Sequence, residues 1–205
     1  MYQRDCTTIS NYALASPSGL RDVGEFTICT VNMPLSRVLD MRRDVKVNGY
    51  QSKWLSSVKR DGFAYLSQMS PSLHANLCKI IDKHGTDTID AAQQAIDTLM
   101  DIPGVGMVKA GFIAQMCGLE VACLDRHNVR ALGMKEDALK IDKKLKPDTR
   151  NKKIRNYVKL CRRSGGAEYW WDTWCNYVAD KGGMNQSLPT GDAVSAYHVT
   201  AVMEV

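Results

Sequence analysis

The chain lacks any apolar run long enough to cross a membrane, any signal-like segment at its start, and any internal repeat or low-complexity linker. A spanning helix needs about 20 consecutive apolar residues, and a secretory leader would show a charged start followed by an apolar stretch. Paired cysteine spacing is missing too. Cys6, Cys29, Cys78, Cys117, Cys123, Cys161 and Cys175 are odd in number and scattered, which argues against a disulfide framework and predicts reduced thiols serving as small core residues in a cytoplasmic protein. His74, His84, His127 and His198 show no metal-ligand spacing, so no metal is expected.

What is present suffices for a core. The 205 residues, 44% of them apolar, match one compact domain or two intimately packed helical lobes. We expect a single domain over 1–205. Residues 1–33 read as an irregular segment, with Ser16-Pro17-Ser18-Gly19 as a turn and Glu25 to Val31 as the only strand-like run. Beyond Pro34 the pattern is helical. Leu35, Val38 and Leu39 start one helix, and Trp54, Leu55, Val58 and Leu66 belong to one or two more around Gly62. Ser70-Pro71 reads as a cap and first-turn proline for a helix carrying Leu73, Leu77, Ile80 and Ile81 inward and ending at Gly85. The expected fold class is all-α.

The most informative stretch is residues 87–118. Ile89, Ala92, Ile96, Leu99 and Met100 recur at helical spacing, and Pro103 stops that helix near Asp101. Gly104 and Gly106 give backbone freedom around Val105, which can plug the junction with a second helix from Met107 to Cys117. That helix carries Phe112, Ile113 and Met116 inward and is capped by Gly118. A glycine-lined turn opening a helix leaves N–H groups that suit a phosphate oxygen, although such a turn is also an ordinary connection between core helices. Next, the apolar segment Glu120 to Leu124 delivers Asp125 to the start of a helix from Arg126 to Leu132, closed by Gly133. Asp125 is a good N-cap. At the mouth of a groove it could also stabilise positive charge on a deoxyribose or activate a nucleophile.

Two linked motifs, Ile102-Pro103-Gly104-Val105-Gly106 and Leu124-Asp125-Arg126-His127-Asn128-Val129-Arg130, resemble those of the helix-hairpin-helix DNA glycosylases, the endonuclease III superfamily. The resemblance covers about thirty residues and implies a helical glycosylase-like fold. It implies that Asp125 is the essential carboxylate, and that Pro103, Gly104, Val105 and Gly106 grip the DNA backbone, with a monovalent cation possible on hairpin carbonyls. His127 and Arg130 would support Asp125, His127 by orienting the helix behind it. Strand-cutting members place a Schiff-base lysine second after the last hairpin glycine, where this chain has Val108; Lys109 lies one step later, about a quarter-turn away, and reads as a solvated or phosphate-contacting lysine. Many members bind an iron–sulfur cluster through four closely spaced cysteines near the C-terminus; only Cys161 and Cys175 stand there, so no cluster is expected.

Charge is uneven. Of a net +5, residues 140–163 carry an excess of nine, from Lys140, Lys143, Lys144, Lys146, Arg150, Lys152, Lys153, Arg155, Lys159, Arg162 and Arg163 against Asp142 and Asp148, which leaves the rest at −4. Ile154, Tyr157, Val158 and Cys161 form a buried stripe that turns the basic residues outward. Beside a DNA-gripping motif, Lys152, Lys153, Arg155, Lys159, Arg162 and Arg163 read as a phosphate track. Trp170, Trp171 and Trp174 follow. Trp170 and Trp174 should share a face, at least two of the three should be core, and one could stack on an extruded base. From Gly182 a loop through Pro189-Thr190-Gly191 precedes a short helix with His198.

Three functions stay open, in this order. The first is a monofunctional DNA N-glycosylase that flips a base and uses Asp125. The second is an amino acid:DNA transferase of the kind implicated in bacteriophage thymine hypermodification, in which a free amino acid or amine displaces phosphate or pyrophosphate from a hydroxymethyluracil-derived base; DNA and that amine are its partners, in a bacterial or infected-host cytoplasm. The third is a non-catalytic DNA-binding module.

Overall fold

A computed structural model describes residues 1–135, 138–141, 145–180, 188 and 190–203. Lys143, Lys144, Asp142, residues 182–187 and Pro189, on which parts of the basic-run and loop expectations fall, lie outside the described residues. The fold is all-α. Among the described residues there are ten α-helices and no strand: α1 (Tyr2–Ala15), α2 (Pro17–Cys29), α3 (Val38–Asn48), α4 (Ser57–His84), α5 (Ile89–Leu99), α6 (Met107–Met116), α7 (Arg126–Ala131), α8 (Pro147–Arg163), α9 (Gly166–Asp180) and α10 (Gly191–Met203). No helix among them is long and apolar enough to cross a membrane.

The N-terminal expectation is overturned. Residues 2–29 form two helices rather than an irregular segment with a strand. Ser16-Pro17 is a cap rather than a free turn: Ser16 Oγ accepts the Gly19 amide at 3.1 Å, and Pro17 sits in the first turn, where its missing N–H costs nothing. The β-branched run Thr27-Ile28 reads as strand in isolation, but burial decides. Leu20, Val23, Phe26 and Ile28 all lie in the core, and such tertiary packing overrides a propensity difference of a few tenths of a kcal/mol per residue. In α1 the buried apolar stripe is only Cys6, Ile9 and Ala13, beside the buried Asp5, too small and narrow to stand out.

Two further expectations are refined. The short helix expected around His198 is present as α10, and it is a core element rather than a peripheral tail, since Val194, Ser195, His198, Ala201 and Val202 are buried and Arg42 of α3 donates to the carbonyls of Ala201 and Val202 at its end. And α4 runs unbroken through Ser70-Pro71. Pro71 removes one N–H, but it and Ser67, whose carbonyl loses its partner, are both exposed, where solvent can satisfy that oxygen. Leu66, Leu73 and Leu77 on the other face hold the helix to the core. As expected, Ile154, Tyr157, Val158 and Cys161 of α8 are buried.

At the centre lies α6, where Met107 and every residue from Ala110 to Met116 are buried, a helix apolar nearly all round as a central element should be. It packs against α5, α2 and α1. A helix placed so deeply fixes whatever its N-terminus carries. That N-terminus is reached through the Pro103–Gly106 turn, in which Gly104 adopts φ +80°, open to glycine at little cost.

The turn is seated by a glycine forty residues upstream. A Cβ on Gly62 of α4 would stand 2.8 Å from the Pro103 carbonyl oxygen and 2.8 Å from Ile28 Cδ1. Backbone cannot give way as a side-chain tip can. Gly62→Val is therefore expected to destabilise the fold by about 1–3 kcal/mol through overpacking and to push the turn off α4. Denaturant unfolding checks this, and a variant as stable as the wild type contradicts it.

Candidate active site

A cavity of about 790 Å³ opens between the α2 C-terminus, α6, α9 and α10. Residues Thr30 to Leu35 form one rim, and Asp125, Arg126 and His127 form the other. Phe112, Trp170, Trp171 and Trp174 give it aromatic walls, and Asp125 faces a lining that also holds Lys109, Arg126 and Lys140.

Asp125 is the half-buried N-cap of α7. Its Oδ1 accepts the amides of His127 at 2.9 Å and Asn128 at 3.1 Å, so the capping expectation holds. Oδ2 does something a cap does not require: it accepts Trp174 Nε1–H at 3.1 Å, across from α9. Both oxygens are thus fixed in direction while the carboxylate still faces the cavity.

The backbone that delivers Asp125 is held just as firmly. Residues 119–125 form neither helix nor strand, yet Val121, Ala122 and Leu124 are fully buried, so their polar groups need partners. Tyr157 supplies two: its hydroxyl donates to the Ala122 carbonyl at 2.6 Å and accepts the Leu124 amide at 3.2 Å. Gln115 Oε1 accepts the Cys123 amide at 3.1 Å while its Nε2 donates to the Ala167 carbonyl at 2.9 Å, tying this segment to α9. Asn128 Nδ2 donates to the Cys123 carbonyl at 2.8 Å. Tyr157→Phe orphans the buried Leu124 N–H and leaves the Ala122 carbonyl with only the weak Cys161 thiol donor at 3.6 Å. It is expected to cost about 1–3 kcal/mol and to lower any activity that depends on Asp125 by more than that loss of folded protein explains. Denaturant unfolding and turnover measured on one preparation check both, and unchanged turnover contradicts the positioning.

Lys109 departs from the sequence reading. Although its Cα is turned from the position next to it, the long side chain enters the cavity. Its Nζ donates to Thr30 Oγ1 at 2.9 Å and lies 5.5 Å from the centre of the Phe112 ring. The cause is electrostatic as well as steric. Thr30 caps the C-terminus of α2, and Lys59 Nζ also donates there, to the Cys29 carbonyl at 3.4 Å. Two ammonium groups therefore gather at the negative end of one helix. Burial holds Lys59 below the usual lysine range.

The aromatic residues divide. Trp170 and Trp171 are buried and anchored, Trp170 Nε1–H to Ser164 Oγ and Trp171 Nε1–H to Ser195 Oγ, each at 2.8 Å. Trp174 is the half-buried one, committed to Asp125. His127 contributes its amide to Asp125, while its ring is exposed and stacks on Tyr177 of α9 at 5.2 Å. Arg130 is exposed in the last turn of α7. Cys123 also lines the cavity, but burial pushes its thiol up to about 12, so it is no thiolate nucleophile.

Gln115 and His198 gave no motif signal. Gln115 could have been noticed as the one polar side chain in the buried run from Ala110 to Met116. His198 could not, because α10 brings it in from the far end of the chain. Its ring is buried among Phe26, Phe112, Trp171 and Trp174, at centroid distances of 5.7, 6.2, 4.8 and 5.4 Å. That burial pushes its pKa down to about 4.

The basic residues of α8 are not all equivalent. Arg155 pairs with Asp90 and Arg150 with Asp97, clipping α8 to α5, and Arg162 pairs with Asp87 just before α5. Lys152, Lys153 and Arg163 are exposed and Lys159 is half-buried; no acidic partner is found for these four among the described residues. No group of three or more His, Cys, Asp or Glu able to hold a metal is found among the described residues.

The chain matches no protein-family model, no curated protein and no solved structure.

Proposed function

We propose that this protein is a DNA-base-directed enzyme that draws one nucleotide out of the duplex into the aromatic cavity and hydrolyses its glycosidic bond. The observation that carries this reading is Asp125. A carboxylate needed only as a cap would not have its second oxygen aimed by a tryptophan at the mouth of a large cavity. As the C–N bond stretches, positive charge develops on the deoxyribose, and a carboxylate already fixed by three donors stabilises that charge without reorganising. Water then adds to C1′, its proton passing to the carboxylate or to solvent, and the base leaves with the bonding electron pair.

Binding rests on separate features. No side chain caps α6, so the amides after Gly106 are available to a phosphate. Lys152, Lys153, Lys159 and Arg163 extend that contact along the backbone, whereas Arg155 and Arg162 serve first to hold α8. A monovalent cation on the turn carbonyls is compatible with this role. Lys109, tied to Thr30, positions the substrate and takes no covalent part.

The cavity size favours a second reading. At about 790 Å³ it falls in the range of sites for drug-sized ligands, more than one base needs. Room for a second small reactant beside Lys109 suits a transferase in which an amino acid or amine displaces phosphate or pyrophosphate from a modified base while the glycosidic bond stays intact.

Mass spectrometry of nucleosides separates the readings. Duplexes holding uracil, hydroxymethyluracil, its phosphorylated form and common lesions are incubated with the protein, with and without free amino acids. Release of free base with an abasic site supports the glycosylase. A heavier nucleoside appearing only with amino acid moves the assignment to the transferase, and unchanged DNA throughout sinks both in favour of a binding module.

A further inference from the structure

Resting on the reading of the cavity as a base pocket, we infer that His198 selects the base, its Nε2 serving as a hydrogen-bond acceptor for an N–H donor on the edge of the extruded nucleobase. The inference starts from the other ring nitrogen. Nδ1 lies 2.9 Å from the Val194 carbonyl oxygen. A carbonyl only accepts, so Nδ1 carries the hydrogen, and in a neutral imidazole Nε2 is then left with a lone pair. Burial among four aromatic rings keeps the ring neutral at any ordinary pH.

Nε2 has no hydrogen-bond partner among the described residues, although His198 is 1% exposed and lines the cavity. Buried polar atoms are nearly always satisfied. An acceptor on a buried ring that lines a cavity and has no protein partner is free to take a donor from a ligand. The two neighbouring indole N–H groups are already engaged, Trp171 by Ser195 and Trp174 by Asp125, and the Lys109 ammonium in the same cavity donates to Thr30. An acceptor in an apolar wall discriminates strongly, because a ligand presenting a carbonyl or an N-methyl group there leaves Nε2 unpaired or repelled. The chemical class selected is thus a base with an inward N–H, of which the N3–H of a uracil-type ring is the simplest.

The test begins with the wild-type protein labelled with ¹⁵N-histidine and titrated with free uracil or free N3-methyluracil, neither of which requires DNA binding. The expected result is that uracil shifts the unprotonated Nε2 resonance and N3-methyluracil does not. Equal response, or no response to either, overturns the assignment. The same pair of bases is then placed in otherwise identical duplexes, with wild type and His198→Phe compared for affinity. Wild type should favour the N–H base by about 10- to 100-fold, the range for one buried hydrogen bond lost with its partner left unpaired. His198→Phe should lose that preference, and the double comparison cancels the bulk of the methyl group. A preference that survives in His198→Phe overturns the inference. If the free bases behave as expected but neither duplex binds, the fault lies with the DNA-base reading and not with His198.

Discussion

Asp125→Asn is expected to lower turnover by about 100- to 1000-fold, the scale for removing one preorganised charge-stabilising group, while leaving DNA affinity nearly unchanged. The variant should fold, because an asparagine oxygen can still accept the His127 and Asn128 amides and Asn is as good an N-cap as Asp. What it cannot do is accept on both sides. Its NH₂ group would face Trp174 Nε1–H, donor against donor, and no negative charge would remain over the cavity. Affinity should survive because binding of this kind is carried by phosphate contacts, of which Asp125 makes none. Single-turnover kinetics and duplex binding measured side by side decide it. Equal losses in both would make Asp125 a structural cap and nothing more.

The second large effect is on stability and depends on pH. His198 is neutral when folded, with its pKa held at about 4 chiefly by burial, and it regains an ordinary value near 6.5 when unfolded. The Val194 carbonyl and Asp5 act against that shift and Lys109 adds to it, but burial prevails. Between those two values the unfolded chain binds more protons than the folded one, so stability falls as pH falls from 6.5 towards 4, by about 3 kcal/mol in all. His198→Phe removes this dependence and keeps a ring of similar size in the aromatic cage. Urea unfolding at pH 7.5 and pH 4.5 should show the wild type losing about 2–3 kcal/mol more than His198→Phe. Identical losses would place the imidazole in contact with water.

Local chemistry made part of this site legible in the sequence. Pro103 stopping α5, Gly104 turning the chain and Asp125 capping α7 each depend on residues within a few positions, and all three stand as read. Lys109 shows where that logic fails. Its place on the helix was correct, but a four-carbon side chain reaches past its own sector, and what drew it was the C-terminus of α2, a helix the sequence did not reveal. The two missed helices each hid their period. In α1 the buried apolar residues Cys6, Ile9 and Ala13 are few and mostly small, and in α2 the β-branched run Thr27-Ile28 and the glycines Gly19 and Gly24 masked the stripe of Leu20, Val23 and Phe26. Gln115, Tyr157 and His198 owe their importance to partners 8, 35 and 172 residues away, Cys123, Ala122 and Phe26, a pairing that only the folded chain displays.

The central claim is that the Asp125 carboxylate stabilises positive charge on a sugar held at the cavity mouth. It can be tested without knowing the target base, with two duplexes that differ only in one abasic position, a cationic pyrrolidine ring in one and a neutral tetrahydrofuran in the other. The account predicts that wild type binds the pyrrolidine duplex at least about 100-fold more tightly, as for a transition-state mimic, and that Asp125→Asn binds both alike. Equal affinity of the wild-type protein for the two duplexes would contradict it.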